Sequence, residues 1–223
     1  MSEQTIQQEK TSCNRCGNCC RQGGPALHTG DRELVISGQL RLEDLIAVRC
    51  GELALRPLEE TPRPVTEEFL KLKGQGSDWC CRFYDHDLPG CTIYDHRPLA
   101  CGLLDCTSPD ALLAVAGRDL LTRFDLIADN DPLLPLVRQH EEHCACPDLS
   151  GLRDRLQQES SRELSALTRL VNLDLAVRAK AAREFSLSLD LELFYFGRPL
   201  FQLLQPLGIR ATESMQGLVL HES

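Results

Sequence analysis

Cysteines are the residues of this chain whose number and spacing could support chemistry, since there are 12 among 223 residues. Near the start, Cys13, Cys16 and Cys19 follow the pattern C-x2-C-x2-C, and Cys20 comes directly after them. Two residues between cysteines let the backbone curl until both sulfurs reach one metal centre, and Gly17 gives the turn its conformational freedom. The same triple spacing provides the first three ligands of ferredoxin-type [4Fe–4S] sites. Because the usual fourth cysteine before a proline is missing, a fourth ligand must be Cys20 or come from distant sequence.

A second group of cysteines lies further along the chain and could supply the missing ligands. Its members are Cys80, Cys81, Cys91, Cys101 and Cys106. A single C-x2-C pair is a weak signal, because zinc knuckles and redox motifs share it. Two dense groups in one chain are a much stronger indication of metal ligation. The isolated Cys50 is expected to be a small buried apolar residue instead.

A smaller group follows in the stretch HEEHCACP. Cys144 and Cys146 are further ligand candidates, which could complete the main sites. His140 and His143 are three residues apart, so they would share one face of a helix and could hold an additional metal ion. The alternative is a polar helix end, at which the helix dipole favours histidine.

Composition and charge restrict the other classes of function. Lys and Arg total 24 against 33 Asp and Glu, and the formal charge of -9 disfavours binding to nucleic acid. No apolar stretch approaches the ~20 residues that span a bilayer, and Met1 to Lys10 lack the apolar core of a signal peptide. We therefore expect a cytoplasmic protein that does not enter a membrane and whose thiols stay reduced and serve metals rather than disulfides. No pattern indicates an oligomeric state.

The elements that must position these residues are mostly helical. We expect a mainly α fold with an irregular, metal-stapled, cysteine-rich N-terminal lobe and little β, divided into a metal-binding domain over 1–147 and a helical region over 148–223. In the first part, the pattern predicts helices over Leu42–Arg49, from Ser108 to about Asn130, and over 133–143. In the second part, it predicts a long helix from Ser150, a strand over Ser186–Leu193 with Leu218–Leu220 as a weak partner, and a short helix after Pro199. Since metal binding supplies folding free energy, chelation is expected to unfold the first half.

Together, the two cysteine groups resemble a known family. CNRCGNCC at Cys13–Cys20, CRFY at Cys81–Tyr84 and CTIYDHRPLAC at Cys91–Cys101 are similar to the motifs of the YkgJ-type cysteine-cluster family (CxxCxxCC), whose domain is described as zinc- or iron-chelating. The resemblance covers roughly Cys13 to Cys106 and implies eight metal ligands, namely Cys13, Cys16, Cys19, Cys20, Cys81, Cys91, Cys101 and Cys106. The chain departs from the family at Gly102–Asp105, where the family often has Arg and a Phe-Pro pair.

Three functions fit such a cysteine set. The ferredoxin-like triple favours an iron–sulfur cluster, [4Fe–4S], for electron transfer or in an accessory subunit that serves a redox partner. Zinc is the alternative, in a structural or interaction module that docks a protein partner. The family also includes domains similar to flagellin lysine N-methylases, in which an iron–sulfur cluster is implicated, so a metal-dependent group-transfer enzyme is the third. The chain has no nucleotide-binding Gly-rich loop, G-x-S-x-G or H-E-x-x-H motif, and we assign no catalytic residue.

The residues around the cysteines leave two questions open. The side chains of the adjacent pairs Cys19–Cys20 and Cys80–Cys81 are expected to point apart. This arrangement suits two separate metal centres, or one cysteine that is a ligand beside one that is not. Arg97 is either a surface arginine on a rigid turn or a donor of hydrogen bonds to thiolates or cluster sulfurs. Tyr84 and Tyr94 are expected to pack in the core.

Overall fold

The computed structural model describes residue 13 and residues 15–57 and 59–222. The fold is 44% helical and 17% strand, which confirms the expected mainly α architecture with little β. In the described part of the chain, the α-helices are α1 (Asn18–Arg21), α2 (Arg32–Ile36), α3 (Leu99–Leu103), α4 (Asp110–Val115), α5 (Leu134–His143), α6 (Leu152–Phe185), α7 (Leu189–Phe196) and α8 (Leu200–Leu204). None of these helices is both long and apolar enough to cross a membrane.

In the residues that the structure describes, the strands pair as small antiparallel sheets of two strands each. In chain order they are β1 (Leu45–Val48), β2 (Leu53–Ala54), β3 (Arg63–Pro64), β4 (Phe69–Leu72), β5 (Gly74–Gln75), β6 (Cys80–Cys81), β7 (Tyr84–Asp85), β8 (Gly90–Cys91), β9 (Ile209–Ser214) and β10 (Gly217–Glu222). The pairs are β1 with β4, β2 with β3, β5 with β6, β7 with β8, and β9 with β10. Cysteine-bearing strands therefore belong to short hairpins, whereas the longer pairs build the core.

The first core forms around the β1–β4 pair. Leu45 lies opposite Leu72 in this pair, and every residue of β1 is buried. Helix α7 packs along β1 and buries Phe194 and Phe196 in the same core. Apolar side chains from both the first and the last third of the chain therefore share one core.

The second core forms where the long helix α6 meets the C-terminal elements. Leu167 and Val171, one turn apart on α6, are buried against Leu200 of α8 and Leu220 of β10. The helical spacing of the α6 leucines predicted this buried face. The helix is interrupted at Glu159, where the backbone leaves the helical region at φ -139° and ψ 51°.

A buried polar network joins the two cores. Arg49, at the end of β1, donates from Nη1 to Nδ1 of His140 on α5 over 3.1 Å. Nε2 of His140 lies 2.6 Å from Oδ1 of Asp174 on α6, and Oδ2 of Asp174 accepts a hydrogen bond from the backbone N–H of Leu200 over 2.9 Å. These side chains are fully buried, so charge and hydrogen bonding fix how α5, α6 and α8 meet. The division into 1–147 and 148–223 stays a prediction.

Three of the sequence-based element predictions are wrong in the described part of the chain. Leu42–Arg49 is not a helix but a 3-10 turn over Leu42–Asp44 followed by β1, because pairing with β4 satisfies the backbone and buries both faces of the strand. The predicted helix from Ser108 to about Asn130 is reduced to α4 and a 3-10 turn over Arg123–Asp125, because Gly117 takes a φ of 73° and the N–H of Leu121 donates to the carbonyl of Leu27.

The predicted strand over Ser186–Leu193 is helix α7 instead. Ser186 ends α6 with a left-handed φ of 54°, and Ser188 starts α7 in an extended conformation. The polar–apolar alternation predicted a half-buried strand, but Leu189 is exposed. Helix α7 instead buries Phe194, Tyr195 and Phe196. Leu218–Leu220 is part of a strand as predicted, but its partner is β9.

Candidate metal centre

The first cysteine loop, residues 13–21, turns sharply between its thiols. Arg15 and Gly17 both have left-handed backbone conformations, with φ of 56° and 77°. This geometry lets the N–H of Arg15 donate to Sγ of Cys13 over 3.4 Å. Cys13 and Cys16 are exposed at this turn. The loop therefore presents two accessible thiols, one of which already accepts a backbone hydrogen bond.

Helix α1 follows the turn and carries the adjacent pair Cys19 and Cys20. Their sulfurs are 3.9 Å apart, because successive residues of an α-helix differ by only about 100° in direction. The expectation that this pair points apart is therefore wrong. Two thiolates on one tetrahedral zinc ion, at 2.3 Å from the metal, would lie about 3.8 Å from each other. The observed separation suits two ligands of a single ion.

The second cysteine segment, residues 80–106, carries its thiols on two hairpins and the helix that follows. Cys81 on β6 pairs with Gly74, and Cys91 on β8 pairs with Tyr84. Burial raises the pKa of both thiols, and backbone hydrogen bonds from Phe83 to Cys81 and from Ile93 to Cys91 oppose that rise.

The backbone donor is the same at three cysteines. The N–H two residues later in the chain points to the sulfur at Cys13, Cys81 and Cys91. A hydrogen bond to a sulfur favours its thiolate form. At Cys81 and Cys91 this donor opposes the rise in pKa that burial causes, and the thiolate is the form that binds a metal.

Cys101 lies on α3, whose start is fixed by a buried carboxylate. Oδ1 of Asp31 accepts from the N–H of Leu99 over 2.7 Å, and Oδ2 accepts from the N–H of His28 over 2.8 Å. Sequence reasoning missed Asp31, because nothing local links it to Leu99. Cys106 follows α3 and is exposed.

The thiols of both segments are close enough to affect one another electrostatically. Burial, followed by the charges of Cys81, Cys19 and Cys91, raises the pKa of Cys101 to about 12. Burial, followed by the charges of Cys19, Cys16 and Cys13, raises the pKa of Cys106. Such interactions link all the cysteines that the family resemblance implies, namely Cys13, Cys16, Cys19, Cys20, Cys81, Cys91, Cys101 and Cys106.

The electrostatic interactions among the thiols bear on whether the site suits a metal. Thiolates that are crowded together repel each other, so they cannot all ionise without a cation between them. A coordinating metal removes the thiol proton outright, which reverses the rise in pKa. The donor set therefore fits zinc or iron, both of which are bound by cysteine thiolates.

The backbone brings these cysteines together, but the side chains are not in ligand geometry. Within residues 13, 15–57 and 59–222, no three His, Cys, Asp or Glu side chains are grouped so that they could hold a metal ion. Burial divides the eight cysteines into two sets. The exposed ones are Cys13, Cys16 and Cys106, and the partly or fully buried ones are Cys19, Cys20, Cys81, Cys91 and Cys101.

Arginine and tyrosine side chains surround the thiols. Cζ of Arg97 lies 4.0 Å from the ring centre of Tyr94, and the positive charge of Arg97 opposes the rise in pKa at Cys91 and Cys101. Arg97 thus acts on the thiols through its charge while it stacks on a ring. Tyr84 is buried, as expected, and its hydroxyl accepts a 3.3 Å hydrogen bond from Nη2 of Arg21.

The other cysteines have different surroundings. Cys50 is exposed, not buried as expected, and its thiol donates to the carbonyl of Thr66 over 3.3 Å. Cys80 is buried beside Cys81 in β6, and adjacent strand residues point to opposite faces. Cys144 is buried in the second core, and Cys146 is packed partly buried against it.

Cys144 and Cys146 lie among charged side chains. Burial, followed by the charge of Asp174, raises the pKa of Cys144 to about 11. Burial, followed by the charge of Glu52, raises the pKa of Cys146 to about 12. His140 is committed to Arg49 and Asp174, so the hydrogen bonds that it makes leave neither ring nitrogen free for a metal.

One family model matches part of the chain. Residues 12–118 match the CxxCxxCC family, described as a "putative zinc- or iron-chelating domain". This match spans both cysteine segments. No curated protein and no solved structure gives a significant match.

Proposed function

We propose that the CxxCxxCC domain holds an iron–sulfur cluster, of the [4Fe–4S] type, and that the protein passes electrons to a redox partner or serves as an accessory subunit of a redox complex. The observation that carries the proposal is the meeting of the C-x2-C-x2-C loop with the second cysteine segment, so that the charges of Cys19 and Cys91 both raise the pKa of Cys101. The loop supplies three thiols with ferredoxin spacing, and the second segment supplies a fourth.

The surrounding groups suit a negatively charged thiolate centre. The backbone N–H groups of Arg15, Phe83 and Ile93 point to sulfurs, and Arg97 adds a positive charge beside Cys91. Hydrogen bonds and nearby positive charge stabilise the more negative, reduced state of a cluster and so tune its reduction potential. A cluster would supply one-electron exchange, while these residues would hold it and set its potential.

Zinc is the second candidate, and one distance favours it. The 3.9 Å between the sulfurs of Cys19 and Cys20 matches two ligands of one tetrahedral ion. In this case the domain would be a structural or interaction module. The eight thiols that the family resemblance implies would suffice for two such sites.

Anaerobic purification with metal analysis separates the two candidates. A brown protein with about four irons and as many sulfides per centre supports the cluster. A colourless protein with one or two zinc ions, and no cluster after anaerobic reconstitution, would overturn it and establish the zinc module. Absorption spectra and metal content are measured on the same sample.

Variants of single cysteines test which thiols take part. Cys16→Ser and Cys19→Ser are expected to lose metal. Cys50→Ser is the matched control, because its exposed hydroxyl can still donate to Thr66. Equal metal retention in all three proteins would show that the first loop does not ligate.

A further inference from the structure

Two arginines, one from each cysteine segment, stack on the ring of Tyr94. Cζ of Arg15 is 4.1 Å from the ring centre, and Cζ of Arg97 is 4.0 Å from it. Arg15 lies in the chain between Cys13 and Cys16, and both Tyr94 and Arg97 lie between Cys91 and Cys101. The Arg15–Tyr94 contact therefore joins the first cysteine loop to the second cysteine segment.

This contact involves the same residue that orients a thiol. The left-handed backbone of Arg15 directs its N–H to Sγ of Cys13, while its side chain reaches Tyr94. An aromatic ring attracts a guanidinium through the negative potential of its face. No metal is needed for this attraction, so the loop is held to the second segment even when the thiols are protonated.

We propose that Tyr94 is a positioning residue that latches the first cysteine loop onto the second cysteine segment and thereby slows the release of the bound metal. This inference rests on the proposed function only in that the cysteines bind a metal, whether iron or zinc. With the latch in place, a sulfur that leaves the metal stays near it and rebinds. Without the latch, the loop moves away, its effective concentration falls, and a competing chelator takes the metal.

The test compares Tyr94→Leu with Tyr94→Phe. Phenylalanine keeps the aromatic face, so its protein should release metal to an excess of chelator at the wild-type rate. Leucine lacks the face, and we expect release to be roughly 2- to 5-fold faster, as the loss of an exposed cation–π contact implies. The thermal midpoint of the metal-free protein should fall only slightly in Tyr94→Leu, through the loss of the ring contact, whereas a general packing defect at Tyr94 would lower it strongly whether or not metal is bound.

Arg15→Gln provides an independent variant, because Arg15 is exposed and its replacement should not impair folding. It should also speed release, and the double variant with Tyr94→Leu should release no faster than either single one, because both remove the same contact. Wild-type release rates in Tyr94→Leu, or fully additive effects in the double variant, would overturn the latch. Metal analysis of the wild-type protein comes before any variant is made. A wild-type protein that contains no metal would refute the proposed function rather than the latch.

Discussion

The ring of Tyr84 lies directly against Gly17, so that a β-carbon at Gly17 would overlap Cε2 and Cζ of the ring. Gly17 is the residue between Cys16 and α1, and Tyr84 pairs with Cys91. This contact places the first cysteine loop on the second hairpin. Gly17 thus meets two requirements at once, a left-handed φ of 77° and the absence of a side chain.

Gly17→Ala is therefore expected to separate the two cysteine segments. Overlap with the buried ring costs about 1–3 kcal/mol, which would weaken metal binding by roughly 5-fold to 150-fold. Gly38→Ala is the matched control, because Gly38 has the same φ of 77° but open space around it. Both variants should lose about 1 kcal/mol of stability from backbone strain, and only Gly17→Ala should lose metal affinity. Equal affinities, measured by chelator competition, would contradict this role of Tyr84.

Periodicity predicted those elements whose burial follows their own sequence. Helices α5, α6 and α8 lie where apolar residues recur at helical spacing, and α6 buries Leu167 and Val171 as expected. The pattern failed where tertiary pairing decides the conformation. Leu45–Val48 is apolar throughout and becomes a strand because β4 supplies its hydrogen-bond partners. Periodicity alone cannot distinguish a short buried strand from a helix.

The site shows the same division between local and long-range information. Cysteine spacing alone identified both segments, since it depends on neighbours in the chain. The contacts that hold the segments together join residues far apart in sequence, as Tyr94 does with Arg15. Asp31 and Gly17 could be recognised as positioning residues only after the fold placed Leu99 and Tyr84 beside them.

Asp31→Ala should destabilise the fold and loosen Cys101. The carboxylate of Asp31 is buried and accepts the N–H groups of His28 and Leu99, and loss of hydrogen bonds to a charged group costs about 1.5–3 kcal/mol. Because Leu99 begins the helix that carries Cys101, metal affinity should fall as well. Denaturant unfolding and chelator competition measure the two effects.

Asp125→Ala is the control for that variant. Asp31 ends the 3-10 turn Thr29–Asp31, and Asp125 ends the similar 3-10 turn Arg123–Asp125. The carboxylate of Asp125 accepts from the N–H of Thr122 over 2.7 Å, but unlike Asp31 it is exposed. Its loss should cost about 1 kcal/mol, as for a helix cap, and leave metal binding unchanged. If Asp31→Ala kept its metal as tightly as Asp125→Ala does, the link from Asp31 to Cys101 would be unimportant.

Metal removal is expected to loosen the cysteine segments without unfolding the first half of the chain. The first core is built by β1, β4, α5 and α7 and contains mostly aliphatic and aromatic side chains. These contacts do not depend on a metal, so the expectation that chelation unfolds the first half does not follow from the fold. Hydrogen exchange should show that the amides of β1 stay protected after chelation while those of residues 15–24 exchange faster. Loss of most far-UV circular dichroism on chelation would show that the core does depend on the metal.

The buried His140 should make the protein less stable in mild acid. Its Nδ1 faces a donor, the guanidinium of Arg49, so Nδ1 must accept, and Nε2 donates to Asp174. Burial lowers the pKa of His140, aided by the charge of Arg49 and opposed by the hydrogen bond to Asp174. The ring is therefore held neutral in the folded protein.

The sign of the pH dependence follows from this lowered pKa. Above about pH 6.5 the histidine is neutral in both states, so it contributes no slope. As the pH falls below that value, His140 binds a proton in the unfolded chain but not in the folded protein. The free energy of unfolding therefore decreases by up to about 1.4 kcal/mol per pH unit. Burial alone would raise the pKa of Asp174, but its contacts with His140 and Arg178 lower it, which adds a further loss of stability below about pH 4.

Denaturant unfolding between pH 7 and pH 4 tests this prediction with His140→Gln. The variant should be less stable at pH 7, because it disturbs the contacts to Arg49 and Asp174, but its stability should change less between pH 6.5 and pH 4.5. His143→Gln, three residues later in the same helix and exposed, should keep the wild-type profile. If the stability of His140→Gln changed with pH as steeply as that of the wild type, the acid sensitivity would come from groups other than the buried network.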